Sequence, residues 1–390
     1  MRGGIDPVND KSYTVACYYF PNYHLDPRNE AVHGPGWSEW DLVKRAEPRF
    51  EGHRQPRVPV WGYEDESDPA AMARKIAAAA DHGIDAFIFD WYWYDDGPFL
   101  ERGLDWGFLR APNNDRLKFA LMWANHDWND IHPAKFGDVQ GGHIRTLYPG
   151  RVTTATFESV MDLVIERYFK HPSYWCIDGC PTFSIYELHT LIEGLGGLDA
   201  TRAALQTFRD KVRAAGFPDL HLNDVVWDAG LLPGEQAVKN PAATLKMLGF
   251  DSVTSYVWIH HQVLQAFPET DYAAARDRYL AYWDQAECTF DMPYYPNVTV
   301  GWDPSPRTVQ SDRYRNVGYP FTPTLCNNTP EQFQEALSLV KARLSKRSQH
   351  RIVTLNAWNE WTEGSYLEPD TETGMRYLEA IKTVFELPDG

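Results

Sequence analysis

Two glutamates, Glu360 and Glu363, stand three residues apart in the stretch LNAWNEWTEGSYLEPD (355–370), with Trp358 before them and Trp361 between them. Two carboxyl groups on either side of a glycosidic bond are the minimum equipment for breaking it: one donates a proton and the other acts as base or nucleophile. An indole against one carboxyl strips it of water and raises its pKa, which keeps it an acid near neutral pH. The plainer reading makes Glu363 a solvated turn residue and Glu360 a helix-facing cap. What precedes the pair decides between the two.

The apolar run 351–355 reads as a strand, and side chains along a strand alternate between faces. Thr354, Asn356, Trp358 and Glu360 then share one face, expected to point inward, and Val353, Leu355 and Ala357 share the other. Glu363 faces away if the chain stays extended, but Thr362 and Gly364 predict a turn that brings both acids to one cavity.

Seven more strand-like runs precede this one. All eight, at 14–20, 84–92, 117–125, 181–186, 221–227, 251–258, 297–302 and 351–358, are short and rich in Val, Ile, Phe and Tyr, as buried parallel strands are. Helical patterns fall between and after them: 68–82, 97–109, 154–169, 200–215, 240–248, 271–287, 330–345 and 374–385. In the first, Asp68 is the expected N-cap, Pro69 opens the helix and Gly83 stops it. Eight strand–helix units predict an α/β fold, a closed (β/α)8 TIM barrel. The competing doubly wound sheet would place a Gly-rich phosphate turn after the first strand, where YYFPNYHLDP stands. Long insertions at 22–66 and 126–153, and shorter segments after strands 7 and 8, lie on the side where barrels build their sites. No repeat or linker appears, so an N-terminal extension (1–12) followed by a single domain (13–390) with long βα loops is the economical division.

Composition narrows the function. At 390 residues with 37 basic and 54 acidic side chains, the net charge of −17 argues against a nucleic-acid partner. No apolar run is long enough to span a membrane. The start, MRGGIDPVND, lacks an apolar signal core, which fits a cytoplasmic chain or one whose export signal has been removed. Five irregularly spaced cysteines argue against a disulfide framework, and Cys17 reads as a small core residue. Without H-E-x-x-H, EF-hand or phosphate-loop patterns, neither a metal nor a cofactor is expected. Fifteen Trp, 21 Tyr and 19 Phe are the informative part. Many stand at predicted strand exits, where a rigid apolar face with a polar tip suits a sugar.

Candidate substrate contacts follow from those exits. Asp90, Trp91 and Tyr92 end strand 2, with consecutive side chains on opposite faces. Trp123, Asn125 and His126 end strand 3. Tyr256 and Trp258 end strand 6, with His260 and His261 beyond. Asn359 could orient Glu360, and Trp361 flanks it. Glu368 reads as a turn residue.

WNEWTEGSYLEP resembles the N-E-W-x-E-G motif of glycoside hydrolase family 99, the endo-α-mannosidase family, and resembles WbsX-type proteins of bacterial polysaccharide gene clusters more closely still. YYFPNYH (18–24), GWSEWDLVKRAEPRFEGHRQPRVP (36–59) and WAN (123–125) match those relatives in order, over roughly 13–385. The resemblance implies a barrel acting on an oligo- or polysaccharide, and it adds Tyr19, His24 and Trp37 to the candidate contacts. It implies a retaining glycoside hydrolase for an α-linked, mannose-like or bacterial glycan. Glu363 would be the general acid/base and Glu360 the base on the sugar 2-hydroxyl, with direct attack by Glu360 as the plainer retaining route. The relatives often carry a glutamate near the position of His126. Two other functions stay open: a glycosyltransferase of polysaccharide biosynthesis, against which the absence of any Asp-x-Asp speaks, and a non-catalytic glycan-binding barrel. Oligomeric state is not legible.

Overall fold

A computed structural model of the chain describes residues 13–228, 230–347 and 350–385. The expected N-terminal extension and the last five residues of the expected domain lie outside the described residues. The barrel strands are β1 (Thr14–Tyr19), β2 (Ala86–Tyr94), β3 (Lys118–Trp123), β4 (Cys180–Ile185), β5 (His221–Val225), β6 (Ser252–Thr254), β7 and β8 (Ile352–Asn356). Strand β7 comes in two pieces, Tyr294–Tyr295 and Asn297–Thr299, separated only by Pro296.

Each strand pairs in parallel with its neighbours in chain order, and β1 pairs with β8 through Thr14↔Ile352 to Cys17↔Leu355. The first piece of β7 pairs with β6 and the second with β8. Nine parallel segments thus form a nearly closed barrel, and with β7 counted once they are the eight strands the alternation predicts. Pro296 has no N–H to give, but its carbonyl accepts from Thr354 N at 2.9 Å, so the seam is bonded across the break.

The flanking helices follow their caps. Asp68 accepts from Ala70 N ahead of Pro69–Asp81, Thr153 caps Thr154–Val164, Asp271 caps Tyr272–Thr289 and Thr329 caps Pro330–Leu344. One predicted helix starts late. Residues 97–109 open with a short strand, Gly97–Phe99, which turns back antiparallel on β2, and irregular helical turns follow at Gly103–Gly107 and Phe108–Arg110. Gly97 has φ +116 and Leu100 φ 59, so the backbone there turns where a helix would have to run on. Among the described residues no helix is long and apolar enough to cross a membrane.

One apolar cluster extends from Tyr13 to Val384 and fills the space between strands and helices. Part of the barrel's interior is polar instead: Asn223 bonds Ser184 and Ser252, and Asn297 bonds Thr354. Each of these buried groups finds a partner within the layer. Above that layer three long loops build the mouth. Two are the expected insertions. The third, 300–329 after β7, is not the short segment expected, and it supplies the centre of the site.

Candidate active site

The sixteen-residue stretch is held from behind. Strand β8 ends at Asn356, and Asn359–Glu360 then pairs antiparallel with Ser365–Tyr366 around a tight turn, Trp361–Glu363. Gly364 closes the turn at φ +65, and a Cβ there would lie 2.7 Å from Asp303 Cβ. The alternation expected from β8 holds for Glu360, which faces the cavity, and fails for Trp358. Because the regular strand has already ended, Trp358 turns to the helix layer, packs on Phe87 at 5.0 Å and gives its indole N–H to Glu368 Oε1 at 2.9 Å. Trp361 likewise donates to Glu368 Oε2 at 2.7 Å and stacks on Tyr366. Lys75, 1% exposed, neutralises Glu368 at 2.7 Å. The two indoles are therefore a scaffold and not a sugar platform, and Glu368 is the post that both are tied to. Asn359 exchanges two bonds with the Phe20 backbone, so it fixes β1 against the turn and does not touch the cavity.

Inside the mouth the two glutamates meet on one guanidinium. Arg307, from the third loop, reaches Glu363 Oε1 at 2.6 Å with one terminal nitrogen and Glu360 Oε2 at 3.1 Å with the other. The same group bonds Glu39 at 2.9 Å, Thr362 and the Tyr319 hydroxyl, and lies over the Phe20 ring. Tyr319 also donates to Glu363 Oε1 at 2.6 Å. Oxygens bonded to neighbouring nitrogens of one fork lie closer than the roughly 9.5 Å upper limit for glycosidase carboxyl pairs. Glu360 and Glu363 are 3% and 6% exposed. Burial, then the charge of Glu363, raises the Glu360 pKa well above the ordinary carboxylate value, against the pull of Arg307. Burial raises Glu363 as well, opposed by Arg307 and the Tyr319 bond. Burial by itself would lower the Arg307 pKa, but Glu39, Tyr319 and the acid pair more than reverse this and keep it charged.

A hollow of about 650 Å³, open solvent at its mouth included, surrounds this centre. Of the predicted contacts, Asp90, Tyr92, His126 and Tyr256 line it together with the two glutamates. The Tyr256 hydroxyl sits 2.8 Å from Asp90 Oδ2 and 2.9 Å from Glu360 Oε1. Burial pushes His126 down to about 4, so its ring is neutral at neutral pH, with Nδ1 2.9 Å from the Asp127 carbonyl oxygen.

The other predicted contacts lie elsewhere, each for a packing reason. Tyr19 points under the first barrel helix and donates to Glu66 at 2.8 Å, and His24 meets the same carboxylate at 3.2 Å. Trp37 stacks on His33 in the first insertion. Trp91 and Trp123 occupy the outward positions of β2 and β3, against Trp93 and Phe157. Asn125 clamps the Glu187 backbone through two bonds of 2.8 Å. Trp258 bends away in a tight turn, bonds the Asn297 carbonyl and stacks on Tyr279. His260 does line the cavity, while His261 stacks on Tyr282 behind it.

Sequence reasoning missed Arg307, Tyr319, Glu39, Tyr186 and Trp302. Glu39 stood inside a quoted motif. Arg307, in WDPSPRTVQ, carries no periodic signal, and only its isolation among prolines could have drawn notice. Among the described residues no cluster of His, Cys, Asp and Glu is arranged to hold a metal ion. A second hollow, of about 1690 Å³ and lined by His53, Arg57, Asn327 and Tyr366 among others, lies beyond Trp302, which lines both.

The family model described as Glycosyltransferase WbsX matches residues 15–381. The uncharacterized protein WxcX of Xanthomonas campestris pv. campestris is 28% identical over 382 residues, covering 95% of this chain and 49% of that protein. The chain thus spans about half the length of the curated relatives it matches. Among solved structures, the GH99 endo-alpha-mannosidase from Bacteroides thetaiotaomicron superposes with a TM-score of 0.57 at 13% identity, over 95% of this chain and 96% of its own. A glycoside hydrolase-like protein gives 0.60 at 17% identity, over 99% and 98%. At such identities the likeness is one of fold.

Proposed function

The chain belongs to the Glycosyltransferase WbsX family, and from that membership, its barrel and its acid pair we propose a glycan-active enzyme that hydrolyses a glycosidic bond with Glu360 and Glu363. One observation carries the reading: two glutamates converge on a single buried guanidinium in a hollow at the barrel's mouth. A barrel that only bound glycans would gain nothing from burying such a pair, whose desolvation costs several kcal/mol per charge.

Each acid has a face suited to its task. Glu363 Oε1 is engaged by Arg307 and Tyr319, which leaves Oε2 to carry the transferable proton. As the bond from C1 to the leaving oxygen breaks, Glu363 protonates that oxygen. Glu360 takes the proton of the 2-hydroxyl, whose oxygen closes on C1. Water then adds at C1 and gives its proton to Glu363, and the 2-oxygen recovers its own from Glu360. Two inversions leave the anomeric configuration retained. Direct attack by Glu360 on C1 is the alternative route to the same outcome. Burial favours the neutral form of both acids and Arg307 opposes it, so neither protonation state is imposed by one influence alone.

An α-linked, mannose-like or bacterial polysaccharide is the proposed substrate, on the motif resemblance and on the endo-mannosidase whose fold it shares. The family's name favours a second reading, in which a sugar hydroxyl replaces water as the acceptor. The absence of any Asp-x-Asp in the chain speaks against a metal-held nucleotide-sugar donor.

The test is incubation with mannans and bacterial O-polysaccharides of the wild type, Glu360→Gln and Glu363→Gln, reading reducing ends and the anomer first released by NMR. Release by the wild type alone, with retention, supports the reading. Activity that needs a nucleotide sugar and survives both substitutions refutes it.

A further inference from the structure

Between Asp90 and Glu360 stands one hydroxyl, that of Tyr256, at hydrogen-bond distance from both. A phenol has one proton to give. If both acids were ionised, one carboxylate would face an oxygen lone pair at under 3 Å, buried away from water. Such a contact is repulsive, and two like charges so close cannot both be kept in a site of this kind. One acid must therefore hold a proton and donate it to the Tyr256 oxygen, while Tyr256 donates to the other.

The surroundings decide which. Around Asp90 the titratable groups are Cys17, Tyr18, Tyr92, Tyr256, Glu360, Glu363 and Arg307. Arg307 is the cation among them, and it bonds Glu360 and not Asp90. Asp90 is 2% exposed, its Oδ2 touches only Tyr256, and its Oδ1 has no partner. Glu360 is bonded directly to that cation, whereas Asp90 feels it only from a distance.

We propose that Asp90 is a neutral carboxylic acid, that its O–H donates to Tyr256, and that the Tyr256 O–H thereby points at Glu360 and holds it as a carboxylate. Asp90 is then a positioning residue for the proposed base, acting through Tyr256. Its Oδ1 is buried and without a protein partner, which suits the uncharged form and would leave an ionised oxygen unsupported. Donation into the phenol oxygen polarises the next bond in the chain, which strengthens the hold on Glu360. Burial displaces Asp90 and Glu360 upward alike, so the bond to Arg307 is what separates them.

This deepens the glycosidase reading for its catalytic consequence, while the location of the proton is measured without substrate. Carboxyl 13C NMR of the protein labelled at aspartate Cγ, titrated from pH 5 to 8, is expected to show a neutral aspartate at pH 7 that is missing from Asp90→Asn. If that variant does not fold, Tyr256→Phe assigns the resonance by shifting it. An Asp90 signal in the ionised range at pH 7 overturns the proposal, whether the proton is then found on Glu360 by glutamate labelling or on neither acid. Where hydrolysis is measurable, Tyr256→Phe moves the acidic limb of kcat/KM upward by about one pH unit, a tenfold loss at a fixed pH on that limb. An unmoved limb also overturns the role. Absence of any hydrolysis in the wild type would sink the function above and leave the NMR result standing.

Discussion

Replacing Arg307 by methionine removes the one cation that Glu360, Glu363 and Glu39 share and keeps most of the side chain's bulk. At an effective dielectric of about 20, two unit charges roughly 4 Å apart attract by about 4 kcal/mol, and breaking a buried pair by deleting one partner costs about 3–5 kcal/mol. For a large domain, where 1 kcal/mol moves the midpoint by roughly 2 °C, the melting temperature should fall by about 6–10 °C near pH 8. The pH dependence carries the diagnosis. Burial already raises Glu360 and Glu363 above their unfolded values, and loss of Arg307 raises them further. A carboxyl raised in the folded state gives its full stability at low pH and loses it as pH rises. The variant should therefore melt close to the wild type near pH 4.5 and well below it at pH 8, by scanning calorimetry at matched ionic strength. In the activity assay the acidic limb should move upward by at least one unit. An equal deficit at both pH values would mean that the loss is one of packing, and the electrostatic argument for the centre would fail.

Two further outcomes follow from the buried scaffold. Lys75→Met strands Glu368 without its cation beneath Trp358 and Trp361, and should cost about 3–5 kcal/mol by denaturant titration. Lys75→Arg, which keeps a cation there, should lose less than half as much, and an equal loss would refute the pairing as the cause. Glu187 and Glu235 anchor the loop after β5, through Gln236 N and through Leu231 N and Leu232 N. Burial first, and the charge of Glu235 next, raise Glu187 to about 8, and burial raises Glu235 to about 7. Both shifts are upward, so as pH rises from 6 to 9 the buried, mutually repelling charges destabilise the closed loop although each N–H bond favours the ionised form. Amide exchange at Gln236 should then accelerate beyond its intrinsic base catalysis, and Glu187→Gln should flatten that excess.

Strands and acids were legible in the sequence because both have local signatures. Buried parallel strands are short apolar runs, and Asp68, Thr329 and their prolines mark helix starts within a few positions. Parity along a strand also separates Asp90 and Tyr92 from Trp91, and applied as strictly on β3 it would have kept His126 and dropped Trp123 and Asn125. Parity stops where strands stop, which is why Trp258 and Trp358 were misplaced. Arg307 and Tyr319 were invisible for a different reason. They come from irregular loop, and their partner Glu363 is 56 and 44 residues away along the chain. Only the closed barrel makes them neighbours. The indoles beside the glutamates misled through their chemistry: aromatic rings near acids suit sugars, but these rings spend their N–H groups on Glu368.

The turn 361–364 is a party wall between two rooms. Glu363 furnishes one side, and Gly364, the next residue, furnishes the other. Its outer surface is shared with Asp303, and Gly301 is crowded as tightly, since a Cβ there would meet the Gly364 carbonyl at 2.3 Å. Anyone grafting the 300–331 segment between family members would thus be rebuilding the masonry behind Glu363 as well, and the smallest safe transplant is that segment together with 355–370.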